Sequence, residues 1–168
     1  MNEWRKIVFL DIDSVVNSEQ WYVKTKGRAG DFDPEAIALL NQLQEIGAEV
    51  VVSSSWGEDG VQQLKNVGLK LPILGCTKKL HYNFDWACRG NEIDFWLTQT
   101  FGGIGTKYGD EWRCAPGVER DYEYVIFDDD MDMLLGQKDN FIQTSRQTGL
   151  TQADIDKAIK ILNREYDG

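Results

Sequence analysis

Short apolar runs that end directly in carboxylates are the feature that most limits how this chain can fold. The run Lys6-Ile-Val-Phe-Leu10 is followed by Asp11 and Asp13, and the run Tyr124-Val-Ile-Phe127 is followed by Asp128-Asp129-Asp130. A short continuous apolar run is typical of a strand that is buried on both faces, and such strands are characteristic of parallel sheets. The sequence therefore predicts a parallel sheet with acidic side chains at the ends of its strands.

The rest of the chain alternates between strand and helix patterns. Further strands are predicted over 49–52, 71–74 and, as a short fifth one, 140–143, and helices over 33–46, 60–66, 91–100 and from Thr151 onwards. The tracts 17–31, 75–88 and 102–117 have no clear period and are predicted to be loops or excursions from the core. This alternation predicts the α/β class, with an open, mostly parallel sheet and helices on both faces, in a single domain over residues 1–168.

Composition limits the classes of function. The 168 residues are 42% hydrophobic and 27% charged, which is typical of a folded, soluble chain. A formal net charge of -10 should repel a phosphate backbone, so strong nonspecific binding to nucleic acid is not expected. No apolar run approaches the roughly 20 residues of a membrane helix, and the N-terminus lacks a signal-type stretch, so we expect no membrane partner and a cytoplasmic setting.

The cysteines do not form a known framework. Cys76, Cys88 and Cys114 are odd in number and lack CxxC spacing, so a disulfide framework is not expected. Together with His81 they match no zinc-binding spacing either. Their role stays open.

Polar side chains follow three of the predicted strands. Asp11 and Asp13 follow the first, Ser53 follows the second, and Asp128 and Asp129 follow the fourth. In an open parallel sheet these positions meet at the carboxyl edge, where ligands bind. Crowded carboxylates raise one another's pKa unless a cation neutralises them, and a hard, all-oxygen ligand set favours Mg²⁺.

A metal held by carboxylates can clamp a phosphoryl group, whose transfer depends on positioning and charge neutralisation. Asp11 is the candidate nucleophile, which would form an aspartyl phosphate. Asp13 is the candidate acid that protonates the leaving oxygen and then activates water. Ser53 would hold a phosphoryl oxygen, and Arg89, at the start of a helix, would supply positive charge through its planar fork of donors.

The motifs in this order resemble those of the haloacid dehalogenase (HAD) superfamily. The four motifs are Phe9-Leu-Asp-Ile-Asp-Ser-Val-Val-Asn17, Val51-Val52-Ser53, Arg89 and Phe127-Asp-Asp-Asp130. Finer details are similar to the branch described as domains of multi-enzyme RNA-repair proteins; they are Phe32-Asp33-Pro34, Ser53-Ser-Ser-Trp56, Arg89-Gly-Asn-Glu92 and Thr148-Gly-Leu-Thr151.

The resemblance implies a Rossmann-like, HAD-like phosphatase. It implies that Mg²⁺ is held by Asp11, by the backbone carbonyl of Asp13 and by an acid of the fourth motif, with Asp129 favoured over Asp128. Arg89 stands where the superfamily usually has lysine. Only about 20 residues separate Asp13 from the next helix, so a minimal cap and an open site are expected. The expected partner is a phosphorylated substrate: a nucleotide, a nucleic-acid end or a small phosphate ester.

Several side chains have a plainer interpretation beside the functional one. Arg89 can pair with Glu92 on the helix surface, and Asp132 can be either a partner of the metal ligands or a charge at a helix start. Ser54 and Ser55 are predicted to be capping groups. Five aromatic residues are either core fillers or stacking platforms for a base; they are Trp21, Tyr22, Trp56, Tyr82 and Trp86.

Two other functions stay open at this point. One is a catalytically silent module that keeps the fold and binds a phosphorylated ligand or protein, which intact Asp11 and Asp13 count against. The other is phosphotransfer to an acceptor other than water.

Overall fold

A five-stranded, all-parallel sheet forms the centre of the molecule, in the order β3-β2-β1-β4-β5. The computed structural model describes residues 4–27, 32–80, 85–101 and 121–165. The strands are β1 (Arg5–Leu10), β2 (Ala48–Val52), β3 (Ile73–Cys76), β4 (Tyr122–Asp128) and β5 (Phe141–Gln143). The predicted α/β class and parallel sheet are confirmed.

Five α-helices accompany the sheet in the described part of the chain. They are α1 (Glu19–Lys24), α2 (Pro34–Asn41), α3 (Gly57–Asn66), α4 (Arg89–Phe101) and α5 (Gln152–Leu162), with 3₁₀ segments at Gln42–Ile46 and Leu135–Asn140. Asp33 caps α2 by accepting a hydrogen bond from the Glu35 amide, with Pro34 in the first turn. Thr151 and Asp154 form the predicted capping box of α5. None of the described helices is long and apolar enough to cross a membrane.

The sheet is buried on both faces, as the apolar runs predict. Along β1, Val8 and Leu10 join the core beneath α2, α3 and α5, while Ile7 and Phe9 face the smaller core beneath α4. The Phe9 ring meets that of Trp96 on α4 edge to face, at 5.4 Å between centroids. Since adjacent residues of a strand point to opposite faces, a run without polar residues needs helices on both sides.

The strand order reverses between β1 and β4. The chain passes from β1 outward through β2 to β3, and then returns to add β4 on the other side of β1. Leu10 pairs with Phe127 in parallel register, so Asp11 and Asp128 leave the sheet side by side. Such a topological switch point is where open α/β sheets bind their ligands.

Several elements differ from the prediction. The helix predicted over 33–46 is α2 followed by the 3₁₀ segment Gln42–Ile46. Helix α3 begins at Gly57, not Gly60, with acidic Glu58 and Asp59 in its first turn, a favourable place for negative charge. Strand β3 lies two residues further along than 71–74, because Pro72 has no amide hydrogen to donate and the strand starts after it. Helix α1 falls in a tract predicted to be an excursion without elements. The glycine-rich tract 102–117 lies outside the described residues.

Candidate functional site

Three carboxylates converge at the switch point. Oxygens of Asp11, Asp128 and Asp129 lie within 4.8 Å of one another. Asp11 follows β1 and Asp128 is the last residue of β4, and the Asp11 amide donates to the Phe127 carbonyl at 3.0 Å. The sheet register therefore brings together three of the four acids that the sequence predicted to meet.

Burial makes Asp11 and Asp128 hard to ionise. Asp11 is only 8% exposed, and its burial, followed by repulsion from Asp128, raises its pKa to about 8 against the lowering effects of Arg89, the Ile12 amide and the Ser54 hydroxyl. Burial also raises the pKa of Asp128 to about 6. The Asp130 amide and Arg89 oppose that rise, while Asp129 adds to it.

The donor chemistry of this group fits a hard divalent cation. All three donors are carboxylate oxygens, and no cysteine or histidine belongs to the group among the described residues. Two acids with raised pKa values gain the most from a neighbouring cation, because the cation favours their charged forms. Asp11, Asp128 and Asp129 are therefore the residues that could hold Mg²⁺. The preference for Asp129 over Asp128 stays a prediction.

Asp13 lies outside this group. Its side chain is exposed, and its two oxygens accept hydrogen bonds from Asn17 Nδ2 at 3.1 Å and from Trp56 Nε1 at 3.0 Å. Ser14 adopts a positive φ of 64°, and its amide donates to Asn17 Oδ1 at 2.9 Å, which closes the loop. The carboxylate of Asp13 is thus held apart from the three clustered acids; metal ligation by its backbone carbonyl stays a prediction.

Two serines follow β2 at the same edge. Ser53 is 1% exposed, and its hydroxyl has no hydrogen-bond partner among the described residues. A buried hydroxyl without a partner is costly and available to a ligand. Ser54 accepts from the Trp56 amide at 3.3 Å, as a turn-capping group does, and its hydroxyl also bonds to Asp11. The contact of Ser54 with the acid group was not predicted.

Arg89 both pairs with Glu92 on its own helix and lies beside the acid group, the two interpretations that the sequence offered. Its Nη1 donates to the buried Glu92 at 3.0 Å, and its Nε lies 3.8 Å from Asp128 Oδ2. The Arg89 amide donates to Asp132 Oδ2 at 3.0 Å, so Asp132 fixes the start of α4. The guanidinium is therefore anchored beside the acid group and not free in solvent.

Gly90 allows the loop after β4 to approach the start of α4. A Cβ at Gly90 would lie 2.5 Å from the Leu134 nitrogen and 2.7 Å from Gln137 Oε1. Gln137 Nε2 donates to the Gly90 carbonyl at 3.0 Å. Any larger residue at position 90 would push this loop away and displace Arg89.

Arg146 is a site residue that the sequence reasoning missed. Its Nε donates to Asp129 Oδ2 at 2.7 Å and its Nη2 to Asp130 Oδ1 at 2.9 Å. These bonds raise the pKa of Arg146, with the Asp129 bond contributing most. Arg146 follows β5, so the rule that polar residues after parallel strands meet at one edge would have found it.

A cavity of about 430 Å³ opens beside Asp13. It is lined by Asp13, Asn17 and the α1 residues Glu19, Trp21 and Tyr22, among others. Other aromatic candidates lie elsewhere: Trp56 packs against Phe32 at 5.6 Å between ring centroids, and Trp86 is 59% exposed outside the described lining. Tyr82, like His81 and Cys114, lies outside the described residues. Cys76 and Cys88 are free thiols.

Comparison with known proteins agrees with this geometry. The family model described as the HAD domain in Swiss Army Knife RNA repair proteins matches residues 7–155. No curated protein and no solved structure matches the chain. The match supports a phosphohydrolase of the HAD type at the level of the superfamily. Because it extends over most of the chain and includes all four motifs, from Asp11 to Asp130, this chain belongs to the family of HAD domains found in Swiss Army Knife RNA repair proteins.

Proposed function

We propose that the protein is an Mg²⁺-dependent phosphomonoester hydrolase that works through an aspartyl phosphate on Asp11. The observation that carries the proposal is the group of Asp11, Asp128 and Asp129 at the switch point, with carboxylate oxygens within 4.8 Å. When bound there, Mg²⁺ would neutralise phosphoryl oxygens and lower the pKa of Asp11, which burial otherwise raises to about 8.

Asp11 is the proposed nucleophile. Its carboxylate attacks phosphorus, the bond to the leaving oxygen breaks, and the phosphoryl group is carried on the Asp11 side chain until water hydrolyses it. The Ile12 amide and the Ser54 hydroxyl bond to this side chain and orient it. Burial at 8% exposure keeps competing water away from the reacting oxygen.

Asp13 is the proposed acid and base. It gives a proton to the leaving oxygen in the first half-reaction and takes one from the attacking water in the second. Asn17 and Trp56 hold its two oxygens in place with one hydrogen bond each. A carboxylate has about four acceptor positions, so these bonds leave room for a further partner.

Ser53 and Arg89 are proposed to bind the phosphoryl group. The unpaired Ser53 hydroxyl gains a partner when a phosphoryl oxygen arrives. Arg89 already lies 3.8 Å from Asp128 and is anchored by Glu92, so its charge stays at the site in the absence of substrate. Planar guanidinium donors suit phosphate oxygens.

Nucleotides and nucleic-acid ends are the proposed substrates, with small phosphate esters as the simplest members of the class. The RNA-repair context of the family supports this choice. The net charge of -10 works against a long nucleic acid bound along the surface, so a terminal phosphate or a free nucleotide is favoured.

Phosphate release tests the proposal. We expect Mg²⁺-dependent turnover of at least one member of a panel of nucleotides, phosphorylated oligonucleotides, glycerol phosphate and an aryl phosphate. Asp11→Asn should reduce it on the order of 10³-fold or more. Asp156→Asn on the exposed side of α5 is the matched control and should behave like the wild type. Phosphate binding without any turnover would instead favour the silent binding module.

A further inference from the structure

The cavity beside Asp13 has the size of a small-molecule site. Its volume of about 430 Å³ falls within the usual range of about 300–1,000 Å³ for ligand pockets. One wall comes from the loop after β1, with Asp13, Ser14 and Asn17, and the other from α1, with Glu19, Trp21 and Tyr22. It therefore begins at the residue proposed to protonate the leaving oxygen.

We propose that this cavity is the leaving-group subsite, and that it takes an uncharged, flat group of nucleoside size in a substrate with a single phosphate. The inference rests on the proposed function, because it needs Asp13 to face the leaving oxygen. The group attached to that oxygen must then lie on the Asp13 side of the phosphorus, where the cavity opens.

Aromatic side chains form the α1 wall. Tyr22 is 52% exposed, and Trp21 is half-buried with Lys24 Nζ at 5.6 Å from its ring centroid, so the two rings present part of their surface to the cavity. The rings of Trp and Tyr stack on any nucleobase because every base has a π-face. A flat leaving group would gain from this wall, whereas glycerol would not.

The α1 wall is fixed relative to the acid group. The Ser18 hydroxyl accepts from the Trp21 amide at 3.3 Å, and the Glu19 amide donates to the Arg146 carbonyl at 2.9 Å. Arg146 in turn bonds to Asp129 at 2.7 Å. One residue therefore connects the aromatic wall with a proposed metal ligand.

The charge of the cavity favours a neutral occupant. Asp13 and Glu19 bring carboxylates, and no lysine or arginine lies among the described residues that line it. A second phosphate inside would face two acids, against the ammonium of Lys24, whose Nζ lies outside the lining at 5.6 Å from the Trp21 ring centroid. Hydroxyl and amino groups of a nucleoside can instead donate to the exposed Glu19 carboxylate.

Steady-state kinetics on matched substrates test the inference. We expect kcat/KM for nucleoside monophosphates to exceed that for glycerol phosphate and that for nucleoside 3',5'-bisphosphates by about tenfold or more. Trp21→Leu should remove most of the advantage over glycerol phosphate, and Trp21→Phe should keep it. Glu19→Gln should reduce the ratio of kcat/KM for nucleoside monophosphates to that for the bisphosphates. Trp86→Leu and Glu45→Gln, outside the described lining, should leave both ratios as in the wild type.

The outcomes separate this inference from the proposed function. Equal kcat/KM for nucleotide and glycerol phosphate, unchanged by Trp21→Leu, would overturn the inference. The proposed hydrolase function would still stand if turnover depended on Asp11. If no substrate is turned over, titration calorimetry with adenosine decides. Adenosine binding that Trp21→Leu weakens about tenfold would uphold the cavity as a nucleoside site without hydrolysis, and absence of binding would overturn it.

Discussion

The loops after β1 and after β4 leave the sheet side by side, yet they hold their acids in different ways. In the loop after β1, neutral side chains hold the acid: Asn17 and Trp56 each donate a hydrogen bond to Asp13. At the end of β4, charged guanidinium groups hold the acids: Arg146 bonds to Asp129, and Arg89 lies 3.8 Å from Asp128. Neutral donors orient a carboxylate without removing its capacity to react, whereas an ion pair stabilises its charged form.

This difference suggests a division of labour. In the proposed mechanism Asp13 must exchange a proton, and its neutral donors leave it able to do so. Asp129 must stay in place as a metal ligand, and its bond to Arg146 holds it there. The predictions that follow test whether the two loops differ in this way.

The largest effect is expected for Asp13→Asn. Loss of the general acid should slow hydrolysis of an alkyl phosphate by about 10²–10⁴-fold. An aryl phosphate with a good leaving group needs no proton, so its first half-reaction should be affected far less. Rapid mixing with nitrophenyl phosphate should then give a burst of nitrophenol followed by slow turnover. Equal slowing of the first half-reaction on both substrates would contradict the role; Asp59→Asn in α3 is the control.

Stability should depend on pH in the metal-free protein. The pKa of Asp11 rises from 3.8 to about 8 and that of Asp128 to about 6, so the folded state keeps these protons to higher pH than the unfolded chain. Their contribution to stability is complete below about pH 4 and is lost as pH rises toward about 8. The melting temperature in EDTA should fall by several degrees over that range.

Two additions to the same melting experiment sharpen it. Mg²⁺ should restore stability most at about pH 8, where two buried acids would otherwise be charged with Arg89 beside them. Asp11→Asn removes the titrating group and should flatten the pH dependence. A melting temperature in EDTA that rises between about pH 5 and 8 would contradict the raised pKa values of Asp11 and Asp128.

Arg146→Gln tests the loop after β4. Without the 2.7 Å bond to its carboxylate, Asp129 should be held less firmly, and Mg²⁺ affinity should fall about tenfold. Calorimetric titration with Mg²⁺ measures this change. Arg5→Gln removes a similarly exposed pair with Glu49 at the opposite end of the sheet, and should leave the affinity as it was. Tighter Mg²⁺ binding in Arg146→Gln would mean that Arg146 competes with the metal.

The smallest effect is expected for Trp56→Phe. The substitution keeps an aromatic ring against Phe32 but removes the donor to Asp13, leaving Asn17 as the one described donor to that carboxylate. We expect kcat to fall roughly fivefold with Mg²⁺ affinity unchanged, since one hydrogen bond contributes about 1 kcal/mol. Trp96→Phe on α4 is the control. A loss of Mg²⁺ affinity in Trp56→Phe would contradict the view that the Trp56 bond to Asp13 affects the proton donor and not the metal ligands.

Much of this architecture could be predicted because it follows from local patterns. Apolar runs ending in acids gave β1 and β4, and their parallel pairing brings Asp11 to Asp128 and Asp129. The start of α2 could be predicted from Asp33 and Pro34, and the start of α5 from the capping box of Thr151 and Asp154.

The remaining features depend on tertiary contacts that leave no local pattern. Helix α1 has only six residues and no buried side chain, so it has no amphipathic period to detect. Its position depends on hydrogen bonds to the turn at Arg146 and Gln147, more than 100 residues away in sequence. The cavity was missed for the same reason, whereas the place of Arg146 at the carboxyl edge could have been predicted because it follows β5.

Direct detection of the phosphorylated residue tests the central claim most sharply. Asp13→Asn protein, mixed with nitrophenyl phosphate and Mg²⁺ and quenched in acid, should carry one phosphoryl group on the peptide that contains Asp11, and hydroxylamine should remove it. Asp11→Asn should carry none. A burst of nitrophenol without a phosphorylated peptide, or with the phosphoryl group on a different residue, would contradict the account.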